Sequence, residues 1–390
     1  MSKQAKIRIG MIGGGAGAFI GAVHRHAYGL DGDFELVCGA FSRDAANNLQ
    51  TGESLGLDNE RIYASWQQML EQEAKLPKSV QMQAVVIVTP NHLHVPVSVA
   101  AIEAGFHVFC EKPAAVSLAE AQALADVLEK SDRLYGLAHT YLGYPLVWQA
   151  RHMVQEGLLG SIRKVYVEYP QGWLSQEEEL HNKQASWRTD PNLAGGSGCM
   201  GDIGTHAFGL AEFVLTDRIT ELCAELKTHV DGRRLDDDGA ALIRTGKGAS
   251  GVLLASQVCA GEENALKIRV YGEKGGLEWR QMEPNSLIHS PAGEPFRVLR
   301  AGLGQPGLCQ DALARCRTPG GHPEGYLEAM ANLYTDFARA VRSKQSGKAE
   351  GVPGIGSGLR GMAFIDAMLA SSNSNEKWHK VADTRCVSKA

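Results

Sequence analysis

The chain has 390 residues, with 39 Lys plus Arg against 44 Asp plus Glu and a formal net charge of −5. That length leaves room for about two or three domains with cores of their own, and the mild acidity argues against a nucleic-acid partner. No apolar run reaches the length of a membrane span, and Met-Ser-Lys-Gln-Ala-Lys leads straight into a strand without an apolar signal region, the pattern of a cytoplasmic protein.

The first strand, Ile7 to Ile12, runs into Gly13-Gly14-Gly15-Ala16-Gly17-Ala18-Phe19-Ile20-Gly21. A strand, a glycine-rich turn and a helix form a place where backbone N–H groups meet a pyrophosphate, helped by the helix N-terminus. Gly13 and Gly15 fit the first two positions of a G-x-G-x-x-G pattern. The third falls on Ala18 or, after a three-residue insertion, on Gly21, and the backbone from Ala18 through Phe19 and Ile20 to Gly21 is expected against the phosphates.

A second strand, Phe34 to Phe41, ends in Ser42-Arg43-Asp44. An acid at this strand end grips the ribose 2′-hydroxyl of NAD, whereas Ser42 and Arg43 suit a 2′-phosphate, so the reading leans to NADP over NAD. The plainer alternative has Ser42 capping a helix from Ala45 with Arg43 solvated. After a helical stretch from Trp66 to Glu73, Ala84 to Val88 is a fully buried strand by its β-branched run. It stops at Thr89-Pro90-Asn91-His92-Leu93-His94. Thr89, Pro90, Asn91 and His92 are placed to touch a cofactor, and for His94 a surface position at a helix N-terminus is the preferred reading.

The helix Val95 to Ala104 leads to the strand His107 to Cys110 and then to Glu111-Lys112-Pro113. In open α/β sheets ligands sit beyond the carboxyl ends of the strands, so Lys112 stands at the lip of that crevice, with Glu111 beside it on the cofactor side. Pro113 keeps Lys112 out of helical geometry, and the bond between them can be cis at tolerable cost. The helix Leu118 to Lys130 and the strand Leu134 to Ala138 complete an α/β series, a Rossmann doubly wound parallel sheet over residues 1–138. Eight cysteines without a Cys-x-x-Cys, Cys38 and Cys110 lying inside apolar strands, suit buried thiols in a reducing compartment.

Residues 139–390 read as a substrate-binding and oligomerisation domain of α+β type. A helix from Leu146 to Glu156 precedes an alternating, half-buried strand from Lys164 to Tyr169. The segment from Gln171 to Asn192 reads as an irregular functional insert carrying Trp173, Trp187 and Arg188. Gly201-Asp202-Ile203-Gly204-Thr205-His206 then enters a helix to Leu215. With that helix starting near Asp202, Asp202 and His206 lie four apart on one face. Asp202 as a helix cap is the plainer alternative, and no further His/Asp cluster supports metal ligation, so no metal site is assigned. Strand-like runs at Ile219–Val230, Ala240–Arg244, Ser250–Ala260, Leu266–Gly272 and Gly276–Arg280, the last two joined by a turn at Glu273–Gly276, predict a mainly antiparallel open sheet. Helices cover one of its faces, and a second copy of the chain covers the other, giving a homodimer or homotetramer. A helix to about Arg342 follows Gly320–Tyr326, which makes His322 and Tyr326 further pocket candidates. Gly354 to Ser371 supplies another helix.

Taken together, the glycine loop with Gly21-Ala22-Val23-His24, then Thr89-Pro90-Asn91-His92-Leu93-His94, then Glu111-Lys112-Pro113, and finally Gly201-Asp202-Ile203-Gly204-Thr205-His206 make the chain resemble the Gfo/Idh/MocA oxidoreductases, the glucose-fructose oxidoreductase and inositol dehydrogenase family. The resemblance spans roughly residues 7 to 280. It implies that Lys112, Asp202 and His206 surround a reacting carbon. Substrate identity does not carry over, because the segment between Gln171 and Asn192 is where such proteins differ most.

The chemistry expected is oxidation of a secondary hydroxyl on a sugar or cyclitol with NADP or NAD. His206 is the base, since imidazole exchanges protons around neutral pH. Lys112 steadies the developing charge on the same oxygen, and Asp202 positions a substrate hydroxyl or His206. Tyr141, Trp187, Arg188 and His322 are the candidate sugar-pocket residues. Two other readings stay open: a redox-neutral sugar enzyme that retains its cofactor, and a sugar or cofactor sensor without catalysis.

Overall fold

The computed structural model describes residues 5–177, 182–343 and 351–384. Part of the insert between Gln171 and Asn192, residues 178–181, lies outside them. The described chain separates into two compact units, one built from residues up to Ala138 with 330–343 and 351–359, the other from His139–Ala329 with Arg360–Thr384.

In the first unit, β1 (Ile7–Gly13), β2 (Phe34–Ala40), β3 (Ala84–Val88), β4 (His107–Cys110) and β5 (Tyr135–Leu137) form a five-stranded parallel sheet in the order β2-β1-β3-β4-β5. The chain leaves β1 in one direction to make β2 and in the other to make β3, and a crevice opens at such a reversal beyond the strand ends. Register aligns those ends: Ile12 pairs with Ala40, Gly13 with Val88, and Ile87 with Cys110. Every residue of β3 is buried, as its run of Ala, Val and Ile requires of a central parallel strand. Cys38 and Cys110 are fully buried as well.

Helices α1 (Phe19–Leu30), α2 (Ala45–Ser54), α3 (Trp66–Lys75), α4 (His94–Glu103) and α5 (Leu118–Glu129) connect the strands. Their starts follow capping chemistry: Ser65 accepts the Gln68 N–H at 3.2 Å, and Ser117 accepts that of Glu120 at 3.2 Å. At α2 the cap is Asp44, whose carboxylate accepts the Asn47 N–H at 2.7 Å, while Ser42 accepts the N–H of Asp44 at 3.1 Å. Ser42 therefore does not cap the helix, because it stands two residues before the cap position.

Residues 330–342 return to this unit, where Met330, Leu333, Tyr334, Phe337 and Ala338 join Ile7, Ile9, Met11, Val86 and Phe109 in one core. The Tyr334 ring stacks on Phe109 at 4.3 Å between centroids. At an order of 1.5–3 kcal/mol for each large apolar side chain taken from water, this return contributes substantially to the sheet's cover. Helical periodicity shows that the segment has an apolar face but not which core receives it.

His107, at the start of β4, is half-buried beside Arg133, and burial and that charge together pull its imidazole down to about 4. Its Nδ1 accepts the Leu134 N–H at 2.9 Å. An unfolded histidine titrates near 6.5, so between those values the unfolded chain binds the extra proton. The stabilisation is complete above about pH 6.5 and is lost as pH falls towards 4. Urea midpoints are expected to drop across that window, and those of His107→Asn to drop less steeply.

The second unit holds a nine-stranded sheet. Its strands are β6 (Ile162–Pro170), β7 (Ile219–Lys227), β8 (Asp238–Thr245), β9 (Ser250–Ser256), β10 (Lys267–Gly272), β11 (Gly275–Arg280), β12 (Ser286–Pro291), β13 (Arg297–Arg300) and β14 (His379–Lys380), ordered β13-β12-β11-β10-β6-β9-β8-β7-β14. β6 and β9 run parallel and the other pairs antiparallel. The strand expected to reach Val230 stops at Lys227, because the Asp237 carboxylate accepts the N–H groups of His229 and Val230 at 2.8 and 3.0 Å and turns the chain. β8 alternates strictly: Gly239, Ala241 and Ile243 are buried, while Ala240, Leu242 and Arg244 are exposed. No described helix is long and apolar enough to cross a membrane.

Candidate active site

The glycine loop of the first unit is shaped by backbone demands. Gly13, Gly14 and Gly17 adopt φ of 86°, 74° and 82°, a region that disfavours residues with a Cβ. The insertion resolves at Gly21, where an added Cβ would lie 2.4 Å from the Cα of Gly14. Gly21 is thus the position of close helix packing, and Ala18 is the N-cap of α1, without a side-chain cap bond. Gly15 faces α2, its missing Cβ leaving space beside Asn47. Phe19 is exposed and Ile20 half-buried at the uncapped first turn. Ser42 is half-buried, Arg43 is exposed, and Asp44 is engaged in capping α2.

Beyond β3, Pro90 is half-buried and Asn91 buried. Thr89 Oγ1 and His92 Nδ1 are buried without a hydrogen-bond partner. Buried polar atoms are ordinarily satisfied, so two orphans beside a strand end that faces the crevice fit a polar ligand. With the open, positive-φ glycine loop and the uncapped N-terminus of α1, they fit a dinucleotide.

His94 departs from its expected surface place: it is 1 % exposed. Its Nδ1 lies 2.7 Å from the carbonyl oxygen of Pro113 and its Nε2 2.9 Å from that of Thr89. Burial pulls the imidazole below its usual range, and the two carbonyls with Glu111 oppose that pull.

The Lys112–Pro113 peptide bond is cis. Glu111 is buried, with Oε1 2.7 Å from His24 Nε2 and Oε2 accepting the Lys112 backbone N–H at 3.1 Å. His24 Nδ1 is 2.5 Å from the Tyr334 hydroxyl. Burial pushes the Glu111 carboxyl up, but the His24 hydrogen bond with the charges of His24 and Lys112 outweighs it and holds the group below the ordinary carboxylate range. Glu111 is therefore a buried carboxylate whose oxygens serve the lysine segment and His24.

In the second unit, residues Met200–Gly204 wind as a wide π turn ahead of the helix Thr205–Leu215, a departure from regular α-helix that recurs at functional sites. The half-buried Asp236 carboxylate builds it, accepting the N–H groups of Gly198 and Met200, each at 2.9 Å, and the Ser197 hydroxyl at 3.1 Å. Gly198 is required there, since a Cβ would lie 2.4 Å from the Asp236 carbonyl oxygen. Asp202 sits inside the turn and is not a cap. Its Oδ2 accepts from Arg188 Nε at 3.3 Å and from Gln257 Nε2 at 2.9 Å.

The insert supplies Arg188 from a short helix, Lys183–Arg188, started by the Asn182 side chain on the Gln184 N–H at 2.8 Å. The Arg188 guanidinium lies 4.2 Å above the Trp187 ring and donates to Gln184 Oε1 at 2.6 Å. His206 is 7 % exposed and stands edge-on to the rings of Tyr141, His139 and Tyr169 at 4.8, 5.4 and 6.3 Å. The Tyr141 and Tyr169 hydroxyls share a short hydrogen bond. Asn264 closes the cluster, donating to Tyr141 at 3.0 Å and accepting from Tyr169 at 2.6 Å. Burial raises the Tyr169 phenol further beyond its ordinary value, and Tyr141 adds to it.

Asp202, Arg188 and Trp187 are thus gathered together, as are His206 and Tyr141, with Tyr326 6.2 Å from the Tyr141 ring. His322 is exposed on its own turn, its ring 3.3 Å from the Pro319 carbonyl oxygen. Sequence reasoning missed Gln257, Asn264, Tyr169 and His139, each drawn from a different stretch with no shared motif. It also missed His24 as a buried partner of Glu111, although its spacing from Gly21 and Tyr28 marks the inner face of α1.

Residues 7–139 match the family described as "Oxidoreductase family, NAD-binding Rossmann fold", and residues 147–278 match the "GFO/IDH/MocA C-terminal domain". The chain is 34% identical to the uncharacterised oxidoreductase YfiI of Bacillus subtilis (strain 168), over 95% of this chain and 96% of that one. It is similar to the crystal structure of an inositol dehydrogenase homolog complexed with NAD+ from Azotobacter vinelandii, with a TM-score of 0.92, 37% identity, and coverage of 97% and 98% of the two chains. A second structure of an inositol dehydrogenase homolog from that organism, complexed with NADH and myo-inositol, gives a TM-score of 0.89 at 36% identity over 97% and 98%. The levoglucosan dehydrogenase of Pseudarthrobacter phenanthrenivorans is 26% identical over 95% of this chain and 97% of its own.

Proposed function

The chain belongs to the Gfo/Idh/MocA oxidoreductase family, and from that premise we propose that it oxidises a secondary hydroxyl of an uncharged sugar or cyclitol with a nicotinamide dinucleotide. One observation carries the substrate class: the side chains around Asp202 and His206 are neutral hydrogen-bonding groups, Gln257, Asn264, Tyr141 and Tyr169, and the adjoining cation Arg188 is paired with Asp202. Such a lining of neutral donors and acceptors suits the hydroxyls of a polyol.

The nicotinamide, when bound, supplies the hydride acceptor. Gly13, Gly15 and the backbone from Ala18 to Gly21 would hold its pyrophosphate, with Thr89, Pro90, Asn91 and His92 along the same crevice. His206 takes the proton of the hydroxyl being oxidised. Lys112, at the strand-end crevice of the first unit, is the donor that stabilises the negative charge developing in the reaction. Asp202, steadied by Arg188 and Gln257, accepts from a neighbouring substrate hydroxyl. Trp187 offers an apolar ring to the sugar's C–H face.

Ser42 and Arg43 at the end of β2, with Asp44 occupied as a cap, favour NADP, although the similar structures are titled as NAD+ and NADH complexes. The exposed face of the large sheet, with Leu242 at 47 % and Tyr271 at 41 % exposure, supports a homo-oligomer covering that face. Buried thiols such as Cys38 and Cys110 agree with a cytoplasmic site of action.

The test is a panel of cyclitols and sugars, myo-inositol first, each with NAD and NADP, read by absorbance of the reduced cofactor. Reduction with at least one polyol and a higher kcat/KM with NADP are expected. A better constant with NAD overturns the NADP preference. Tight dinucleotide binding without reduction by any polyol overturns the dehydrogenase itself.

A further inference from the structure

Lys112 follows β4, whereas the dinucleotide-facing loops follow β1 and β3. Two buried histidines span these gaps. His24 lies on α1, the helix that starts where the glycine loop ends. Its Nε2 is 2.7 Å from Glu111 Oε1, and the other oxygen of that carboxylate accepts the Lys112 N–H at 3.1 Å. His94 opens α4 directly after the β3 loop, with one ring nitrogen on the Thr89 carbonyl and the other on that of Pro113. Both rings are essentially sealed, at 0 % and 1 % exposure.

We propose that His24 and His94 are positioning residues that tie the two dinucleotide-facing loops to the Glu111–Lys112–Pro113 segment, so that filling those loops orders the lysine for reaction. The inference rests on the dinucleotide reading given above. A buried polar contact is costly to break, because the group left behind has no water to turn to. The glycine loop with α1 therefore cannot shift without dragging Glu111, and His94, donating to one of its two carbonyls and packed against the other, couples Thr89 to Pro113. The link from the glycine loop runs through the His24 and Glu111 side chains to the Lys112 N–H, and the link from the β3 loop runs through the His94 side chain to the Pro113 carbonyl. Tyr334, 2.5 Å from His24 Nδ1, holds the far edge of that ring from the returning helix. A dinucleotide that reduces the freedom of either loop then reduces the freedom of the lysine segment, a coupling that needs no large displacement.

The test uses the full chain and hydrogen exchange of residues 107–115, followed by mass spectrometry with and without saturating NADP or NAD. In the wild type the dinucleotide is expected to slow exchange at Lys112 by about tenfold, within the usual range of coupling between sites. His24→Leu and His94→Leu are expected to lose that slowing while still binding dinucleotide by tryptophan fluorescence. His24→Gln and His94→Gln, which keep an N–H donor, recover part of it. Tyr334→Phe keeps the ring and removes only the hydroxyl, so it yields a folded protein with weakened coupling through His24 if either leucine variant fails to fold. Persistence of the full slowing in His24→Leu and His94→Leu, or in Tyr334→Phe and the glutamine variants where the leucine proteins do not fold, overturns the proposal. So does wild-type binding without any slowing. Failure of the wild type to bind either dinucleotide removes the premise instead, and loss of the lysine's catalytic role is read separately from turnover of Lys112→Met.

Discussion

Lys112→Met is expected to lose at least about a hundredfold in turnover, on the scale of removing one donor to a developing oxyanion, with dinucleotide affinity nearly unchanged. Methionine keeps much of the apolar stem and deletes the ammonium, so the change removes a charged donor without opening a cavity. The backbone of residue 112 stays where it is, because Glu111 Oε2 holds its N–H and His94 reaches the next carbonyl, and neither contact involves the lysine side chain. Steady-state kinetics on the best substrate of the panel and a fluorescence titration with NADP and NAD separate the two effects. An unchanged rate removes Lys112 from the chemistry. A collapse of dinucleotide binding would assign it to the cofactor instead.

The second large effect is structural and reaches function through the loop. Gly21→Ala places a methyl 2.4 Å from the Gly14 Cα and 2.7 Å from the Gly14 carbonyl oxygen, both backbone atoms. No rotamer relieves this, so α1 must move away from the glycine loop. Overpacking of this kind costs about 1–3 kcal/mol, and dinucleotide affinity is expected to weaken by more than about tenfold, since near contacts lose their geometry with shifts of an ångström. Gly29→Ala, on the same helix with nothing within 4 Å of the added methyl, is the control. Its stability should hold or rise by up to about 1 kcal/mol, as alanine is the better helix former. Urea midpoints and the same titration check both variants. Equal behaviour of the two would show that the approach of Gly21 to Gly14 matters little to the site.

The two glycines also illustrate how far local pattern reaches. The strand, glycine turn and helix at the N-terminus were legible because backbone conformation and helix starts depend on neighbours a few residues away. Whether Ala18 or Gly21 served the close approach was not legible, because the atom it must avoid belongs to Gly14 across the turn. His94 shows the same limit more strongly. Its place at the head of a helix suggested solvent, yet the carbonyls of Thr89 and Pro113, at the ends of two neighbouring strands, enclose it.

The amino-acid order alone was enough for the parallel sheet, the antiparallel sheet and the family resemblance, since each rests on short-range periodicity or on a motif of consecutive residues. Only the tertiary structure decided that Tyr334 returns to stand behind His24, that Gln257 and Arg188 share Asp202, and that Asn264 joins Tyr141 to Tyr169. These partners come from stretches tens to hundreds of residues apart. Burial fixes which side chains meet, and an apolar face or a lone polar residue in the sequence carries no record of the surface that will enclose it.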